Sequence, residues 1–538
     1  MPYETTMKAE LAAEYHRSGQ WLNRTVFDVL KEKAAAHPDR EVFADEHKRL
    51  TYGQLKDRVE RCATYLRKIG IGRGDVVTIQ LPNRIEFPIV FFSLELIGAV
   101  ANTVNPDFRA RELEYILRFS KSKAIVCARR FRGFDYLEMA RGLQRDNLAL
   151  THVIVSGEAE EMFDLDKGIA ESTPIFVGDI VRMSTDEVFR MAFTSGTTGN
   201  PKCALHSFNT TLAAAHQLNV DMQMEITDVP LIYLPVGLNW GYLCLLQTLL
   251  AGCRTVLMER FSARLTLEVI QRERVTYIAT APASIVAILN VADLDTYDLS
   301  SLRVVVTGGA PAAIETIEGF QRYFKAHLIE LFGMLETGFP TYTRFEDDSE
   351  TTNGTVGRVA GHMKVRLVDA DNRDVPHGEI GELSIQGPTV HLGYLNNADA
   401  NAQAFTSDGW FRSGDLGRYI DRDGNIQLTG RSKEIINRGG KKFFPREIEE
   451  ILYTHPRILH AAMIGLPDAR LGERNCLCVV LKDSQPMELD EVVSFLKGQV
   501  ADYKLPESIH VLEELPMTGT GKVRRPILRD QIMSCSPE

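Results

Sequence analysis

The sequence predicts an α/β fold: a large N-terminal domain that ends in a small β subdomain, followed by a small α+β domain. Three observations predict it. Up to about residue 332, short apolar runs alternate with helical patterns, which is the rhythm of βα units with largely parallel strands. From about residue 363 the runs become half-polar with a two-residue period, as in strands with one solvated face. From Pro445 onward a helix, two strands and another helix form a separate unit. The chain has 538 residues. That exceeds what one core supports, and length alone suggests roughly two to four domains.

The elements follow in order. Residues 25–36 carry apolar side chains at helical spacing, with Thr25 placed to cap the N-terminus. A second helix spans 52–69 and is closed by Gly70. The run Gly70-Ile71-Gly72-Arg73-Gly74-Asp75 superficially resembles a dinucleotide fingerprint. It follows a helix and precedes the strand 76–81, the wrong order for that turn, so it reads as a helix C-cap and turn. The stretch 87–104 is the most apolar long one. Pro88 and Glu95 lie inside it, and it reads as a buried helix, not a membrane span. Strands are expected at 124–128, 152–156, 231–236, 254–258, 277–281, 303–307 and 328–332. In parallel sheets ligands gather at the carboxyl ends of strands. The turns Gly308-Gly309-Ala310-Pro311 and Gly333-Met334-Leu335-Glu336 lie at such ends.

Strands at 363–368 and 379–386 and a hairpin at Asp421-Arg422-Asp423-Gly424 form the antiparallel subdomain, which closes near Gly430. The helix that begins at Pro445 has proline near its first position and acids in its first turn. Strands at 460–464 and 476–481 and a helix at 489–500 complete the last unit. No Pro/Gly-rich linker precedes it, which implies a short hinge. There is no internal repeat.

Composition excludes several classes. Hydrophobic residues make up 44% and charged residues 25%, as in soluble globular proteins. A net charge of −11 argues against general nucleic-acid binding, which needs a basic face. Residues 1–21 hold no long apolar core, so no secretory signal is expected. The eight cysteines form no Cys-x-x-Cys pair and no zinc-like spacing. They read as reduced thiols of a cytoplasmic protein, none of them catalytic.

One stretch carries chemistry on its face: Thr194-Ser195-Gly196-Thr197-Thr198-Gly199-Asn200-Pro201-Lys202, directly after the strand 189–193. Glycine lets the backbone approach a ligand closely, and successive N–H groups form an anion-binding concavity. Hydroxyls donate to phosphate oxygens, and lysine adds a mobile positive charge. The stretch reads as a phosphate-holding loop; taken alone, a polar turn between strand and helix is the competing reading. Gly-Lys-Ser/Thr at the Walker offset is absent, which disfavours a P-loop NTPase.

Four further motifs line up with this loop. They are Phe332-Gly333-Met334-Leu335-Glu336, then Gly409-Trp410-Phe411-Arg412-Ser413-Gly414-Asp415-Leu416-Gly417. Gly430-Arg431-Ser432-Lys433-Glu434 follows and runs into Asn437-Arg438-Gly439-Gly440, and the last is Pro516-Met517-Thr518-Gly519-Thr520-Gly521-Lys522. In this order and spacing the five resemble the adenylate-forming superfamily. That superfamily includes acyl-CoA synthetases, aryl acid–AMP ligases, luciferases and peptide-synthetase adenylation domains. The resemblance covers nearly the whole chain. Phe444-Pro445-Arg446-Glu447-Ile448-Glu449 looks more like the CoA ligases, and Arg132-Gly133-Phe134-Asp135-Tyr136 more like the aryl acid–AMP ligases.

The resemblance implies an adenylate-forming domain at 1–430 and a mobile C-terminal domain at 431–538. It implies a reaction in which a carboxylate attacks the α-phosphate of MgATP to give acyl-AMP, after which a thiol displaces AMP. Thr194, Ser195, Gly196, Thr197, Thr198 and Lys202 would hold the β- and γ-phosphates, and Lys522 would bridge the acid and the α-phosphate. Both attacking and attacked groups are anionic, so positive charge and hydrogen-bond donors must neutralise them. Asp415 would accept from both ribose hydroxyls, Arg431 would contact ribose or phosphate, and Glu336 would ligate Mg²⁺. Phe332 and the turn Gly309-Ala310-Pro311 would sandwich adenine, beside Gly333. Lys433 matches the family's hinge position, about which the C-terminal domain turns between steps. That turn brings Gly439 and Gly440 in to line the thiol tunnel of coenzyme A.

The pattern also departs from the family. Leu335 stands where threonine is common, and Leu238 where many relatives carry histidine. Asn239 aligns with an asparagine that aryl acid–AMP ligases use on a hydroxybenzoate. The acid pocket is expected at Leu238, Asn239, Trp240, Gly308 and Phe339, mainly apolar, fitting a medium-chain, alicyclic or aromatic acid. The leading reading is a cytoplasmic acid–CoA ligase with ATP, Mg²⁺ and coenzyme A. The second is an aryl acid–AMP ligase that loads a carrier protein. A non-catalytic nucleotide-binding homologue is disfavoured because Lys522, Glu336, Asp415 and Arg431 occur together.

Overall fold

A computed structural model describes residues 3–157, 163–194, 201–309, 314–431, 434–468, 470–517 and 523–535, with only the backbone of Glu315, Lys442 and Cys535. Two largely parallel sheets build the N-terminal part. The first has seven strands in the spatial order Cys203–Ser207, Val188–Phe193, Val100–Thr103, Val76–Gln80, Ala124–Ala128, His152–Ser156, Phe163–Asp164. Only the pair Cys203–Ser207 and Val188–Phe193 is antiparallel.

The second sheet has nine strands. Its parallel interior runs His327–Met334, Val304–Gly308, Tyr277–Thr280, Pro230–Ile232, Thr255–Leu257, Glu41–Ala44. Antiparallel strands Gly338–Tyr342 and Arg358–Val359 extend one edge, and Arg49–Thr51 closes the other.

The helices Glu86–Leu96, Phe208–Asp221 and Asn239–Ala251 are apolar on nearly all sides and belong to a core that also takes side chains from both sheets. A helix apolar all round has to be enclosed. Here the enclosure is the space between the sheets. Val77, Ile79 and Val126 of one sheet share a single cluster with Ile232, Val304, Val306 and Ile329 of the other.

The apolar stretch 87–104 is not one helix. The helix ends at Leu96, Gly98 takes φ +71°, and Val100–Thr103 is a strand inside the first sheet. Uniform burial erased the periodicity that would have separated the two. The strand expected at 231–236 stops at Ile232, ahead of Pro235. The turn after the helix Tyr52–Lys68 is the C-cap the sequence implied. Gly70 has φ +89°, and the Ile71 N–H donates to Leu66 O at 3.0 Å. Thr25 caps the helix Val26–Ala36 in a reciprocal box with Asp28.

The β subdomain is a four-stranded antiparallel sheet, Lys364–Val368, Gly381–Gln386, Phe411–Tyr419, Ile426–Arg431. In the C-terminal part, Gly472–Leu481 pairs with Ile458–Asp468, Ile436–Arg438 and Ser508–Val511. Pro445–Tyr453, with proline in its first turn, packs on that sheet. The helix expected at 489–500 ends at Leu496. Seven cysteines are buried as free thiols. Among the described residues no helix is long and apolar enough to cross a membrane.

Glu95 ties two helices of the core together. Its buried carboxyl accepts the Phe27 N–H at 2.9 Å. Burial pushes its pKa up to about 8, against the hydrogen bonds that favour the charged form. The native state therefore holds a proton that the unfolded chain has released between about pH 4.5 and 8, and stability must fall with rising pH across that window. Glu95→Gln keeps an acceptor for Phe27 but has nothing to ionise. Its stability relative to wild type should rise by up to about 1.4 kcal/mol per pH unit and level off above pH 8. Urea unfolding at a series of pH values measures this; parallel curves for the two proteins would contradict the assignment.

Candidate active site

The carboxyl ends of both parallel sheets open on one cleft of about 830 Å³. Thr103, Ala192 and Phe193 border it from the first sheet, and Gly308 and Gly333 from the second. Glycine is required at Gly308, where a Cβ would lie 2.5 Å from Leu331 O. It is required again at Gly237, where a Cβ would meet Val104 O at 2.0 Å. The second contact seats the start of the helix Asn239–Ala251 against the end of the first sheet.

The loop 194–202 joins two antiparallel strands, Val188–Phe193 and Cys203–Ser207, not a strand and a helix. Its base is closed twice: the Thr194 N–H donates to Lys202 O at 2.8 Å, and the Lys202 N–H to Thr194 Oγ1 at 3.2 Å. Thr194 and Lys202 line the cleft. The Lys202 ammonium sits 4.7 Å from the ring centre of Tyr394. Ser195, Gly196, Thr197 and Thr198 lie outside the described residues.

Glu336 lies just beyond the strand His327–Met334, 7% exposed, with Oε1 accepting the Tyr394 hydroxyl at 2.9 Å. Burial raises its pKa, while the Tyr394 bond and the charges of Arg431 and Lys202 act in the opposite direction. Two buried histidines fix the turn around it. The His391 backbone N–H donates to Glu336 O at 2.7 Å, and His206 Nε2 lies 2.9 Å from Leu335 O. A carbonyl only accepts, so His206 carries its proton on Nε2. Burial, with Arg190 and His391 nearby, drops its pKa well below the usual value, and burial takes His391 to about 3. Both rings are neutral. No motif pointed to these two histidines or to Tyr394, which stand far from Glu336 along the chain.

Asp415 and Arg431 face each other across adjacent strands. Arg431 Nε donates to Asp415 Oδ1 at 2.9 Å, and the Asp415 charge holds the guanidinium pKa above its usual value. Asp415 Oδ2 is buried with no hydrogen-bond partner among the described residues. A buried carboxylate oxygen without a donor is costly, and a hydroxyl-bearing ligand supplies one. Arg431 borders the cleft with Glu336.

Gly309, at φ +83°, also borders the cleft, while Ala310 and Pro311 lie outside the described residues. Phe332 is not in the cleft wall: its side chain is buried in the large core cluster. At the far end Leu238, Asn239, Trp240, Gly308 and Phe339 come together as the sequence implied, with the Trp240 and Phe339 rings 5.8 Å apart.

The C-terminal part completes the cleft with Met463, Ile464, Gly465, Glu473, Arg525 and Arg529. Met517 and Val523 pair as an antiparallel bridge. Lys522 lies between them in sequence and outside the described residues, as does Lys433. Arg525, two residues past that bridge, binds Glu449 at 2.6 Å and lies 3.4 Å from Glu434. Arg525, just past the segment that carries Lys522, therefore borders the cleft. Gly439 and Gly440, both at positive φ, are exposed and do not border it.

Among the described residues no three His, Cys, Asp or Glu side chains form a metal cluster. A lone buried carboxylate still suits Mg²⁺, which takes one or two carboxylates and completes its shell with water and phosphate oxygens.

Comparison with known proteins agrees with this geometry. Residues 30–395 match the family described as AMP-binding enzyme, and residues 447–522 match its C-terminal domain. The chain is 34% identical over 527 residues to 2,3-dihydroxybenzoate-AMP ligase of Bacillus subtilis, covering 97% of this chain and 96% of the relative. It is 31% identical over 541 residues to the medium-chain fatty-acid–CoA ligase of Escherichia coli, covering 99% and 95%. An ATP-bound RpMatB-BxBclM chimera superposes with a TM-score of 0.86 at 25% identity, covering 95% of this chain and 99% of that one.

Tyr394→Phe removes the side-chain donor to the Glu336 carboxylate. The pKa of Glu336, already raised by burial, should climb further, because a hydrogen bond that favours its charged form is lost. If Glu336 holds the metal of a Mg²⁺–nucleotide, the pH below which that binding fails should move up. Calorimetric titrations between about pH 5 and 8 would show it, and an unmoved midpoint would remove Tyr394 from that role.

Proposed function

The chain belongs to the AMP-binding enzyme family, and on that premise we propose that it activates a carboxylic acid as acyl-AMP and transfers the acyl group to coenzyme A. The observation that carries the proposal is the convergence on one cleft of Thr194, Lys202, Glu336 and Arg431 with an apolar end at Leu238, Trp240 and Phe339. A nucleotide needs the first set, and the body of an acid needs the second.

The loop from Thr194 to Lys202 holds the β- and γ-phosphates by backbone N–H groups and hydroxyls. The free oxygen of Asp415 accepts from the ribose, and its other oxygen holds Arg431 in place. Glu336 would hold Mg²⁺, which would supply positive charge to the phosphates. Lys522, on the segment that precedes Arg525, neutralises the carboxylate and the α-phosphate as they approach. Gly309 supports adenine from one side. Phe332, buried in the core, acts by packing beneath the site.

In this reading residues 431–538 form the mobile domain, with its hinge at Lys433. Arg525, just past the segment that carries Lys522, borders the cleft, and the Gly439–Gly440 turn faces solvent, which suits the adenylating step. The thiol step then requires the C-terminal domain to rotate and carry Gly439 and Gly440 inward. Asn239 in the acid pocket favours a second reading, an aryl acid–AMP ligase that delivers to a carrier phosphopantetheine.

ATP–pyrophosphate exchange over aliphatic, alicyclic and aromatic acids tests the first step. AMP release with free coenzyme A, compared with a phosphopantetheinylated carrier, tests the second. Exchange with no acid would refute the proposal; exchange with AMP release only on a carrier would replace it with the second reading. Lys522→Ala should lower exchange by roughly a hundredfold or more, as loss of a transition-state charge contact does. Thioester formation from supplied acyl-AMP should survive, and equal loss of both half-reactions would take the first-step role from Lys522.

A further inference from the structure

The segment 388–394 holds the turn at Glu336 from three points. The His391 N–H donates to Glu336 O at 2.7 Å, the Tyr394 hydroxyl to Glu336 Oε1 at 2.9 Å, and the Thr389 hydroxyl to Thr337 O at 2.6 Å. This segment is part of no helix and no sheet, so neighbouring elements must fix its position. One neighbour is the strand Cys203–Ser207. The Leu392 N–H donates to Leu205 O at 2.8 Å, and the Leu205 N–H to Gly393 O at 3.0 Å.

A second grip comes from residues 3–23. The Thr6 N–H donates to Leu392 O at 2.7 Å, and Trp21 Nε1 to Pro388 O at 2.9 Å. The helix Ala9–Ser18 lies between these two contacts in the chain. Tyr3 and Met7 pack on the apolar cluster that contains Leu392, and Met7 and Leu11 on the one that contains Trp21. The Trp21 ring is itself buried, with its centre 5.3 Å from that of Tyr15. Two residues on, the Asn23 N–H donates to Asn209 Oδ1 at 3.2 Å and ties the stretch to the enclosed helix Phe208–Asp221. Pro388 and Leu392 are buried. A buried carbonyl that loses its donor is costly, so the segment would shift to find another. The groups that prop Glu336 would shift with it.

Building on the function proposed above, in which Glu336 would hold Mg²⁺, we propose that residues 3–23 are a clamp and that Thr6 and Trp21 are positioning residues: through Leu392 and Pro388 they fix the segment 388–394, and through His391 and Tyr394 that segment fixes the metal-binding carboxylate. None of residues 3–23 lines the cleft. The clamp therefore reaches a nucleotide only through Glu336 and its metal. That route has a signature. Loosening the clamp weakens the part of nucleotide binding that depends on the metal. It spares the part carried by Asp415 and Lys202, which the clamp does not position.

The test is calorimetric titration of the full chain with ATP, once with Mg²⁺ and once with EDTA. Trp21→Phe keeps an aromatic ring and removes the indole N–H; Thr6→Pro removes the other donor. Each should weaken Mg²⁺–ATP binding by about three- to tenfold, the range one lost hydrogen bond supports, and change binding in EDTA by less than about twofold. In a Tyr394→Phe background Trp21→Phe should add less than about twofold, because the contact it acts through is already gone. Unchanged binding in both variants, an equal loss with Mg²⁺ and with EDTA, or an undiminished loss in the Tyr394→Phe background would overturn the clamp. A wild type that binds no Mg²⁺–ATP would overturn the proposed function, and the clamp with it. Should thermal unfolding show that Trp21→Phe does not fold, Thr6→Pro takes its place in every comparison, with the same outcomes deciding.

Discussion

Everything in the site depends on the helices enclosed between the two parallel sheets. Because Glu86–Leu96, Phe208–Asp221 and Asn239–Ala251 share one apolar core with strands of both sheets, the sheets cannot shift independently. Close-packed interiors transmit displacement; they do not absorb it. The ends of Val188–Phe193, Val304–Gly308 and His327–Met334 are thereby held at fixed separations around the cleft. The same packing puts Asn239, the first residue of an enclosed helix, within reach of Arg190 on a strand of the first sheet. The cleft takes its walls from both sheets, and its shape is set by the core.

Within that frame the polar groups are arranged by desolvation. Glu336, His206, His391 and Arg190 are all buried, and burial is the first cause of every shift in their titration. The outcome differs by group. The histidines lose their charge, and the His206 ring and the His391 backbone N–H prop the Leu335–Glu336 turn. Arginine cannot shed its proton at neutral pH and remains a cation. Tyr394 joins the two ends of this arrangement, donating to Glu336 while its ring lies beside the Lys202 ammonium. Leu335 in place of the family's common threonine removes a side-chain hydroxyl, but the backbone of that turn remains anchored from both sides.

How much of this was legible depended on where the partners lie in the chain. The loop 194–202, which we propose holds phosphate, stood out by composition, and Asp415 and Arg431 by motifs that the β hairpin brings face to face. Leu238, Asn239 and Trp240 were legible because consecutive residues open one helix. Tyr394, His206 and Arg190 were not, since each acts on a residue distant in sequence and none sits in a recognisable pattern. Phe332 misled because a motif fixes position along a strand but not which way a side chain packs. The stretch 87–104 misled because complete burial makes helix and strand look alike. The loop 194–202 was expected to compete with a strand-to-helix turn, and the pairing of its flanking strands shows a hairpin.

The C-terminal part adds a constraint of a different kind. It contributes Met463, Gly465, Glu473 and Arg525 to the same cleft, yet its Gly439–Gly440 turn is in solvent. Both glycines hold positive φ, and a Cβ added to Gly440 would meet nothing within 4 Å. Local crowding therefore does not account for glycine at Gly440 in this arrangement, although its φ favours it. In the proposed cycle the crowding comes from elsewhere: a pantetheine arm passing the turn after the domain has rotated. The two halves of the reaction then draw on opposite faces of one small domain. Only the strand end at Arg431 and the short segment beyond it need to absorb the change, because the sheet Gly472–Leu481 with its neighbours can move as a rigid body.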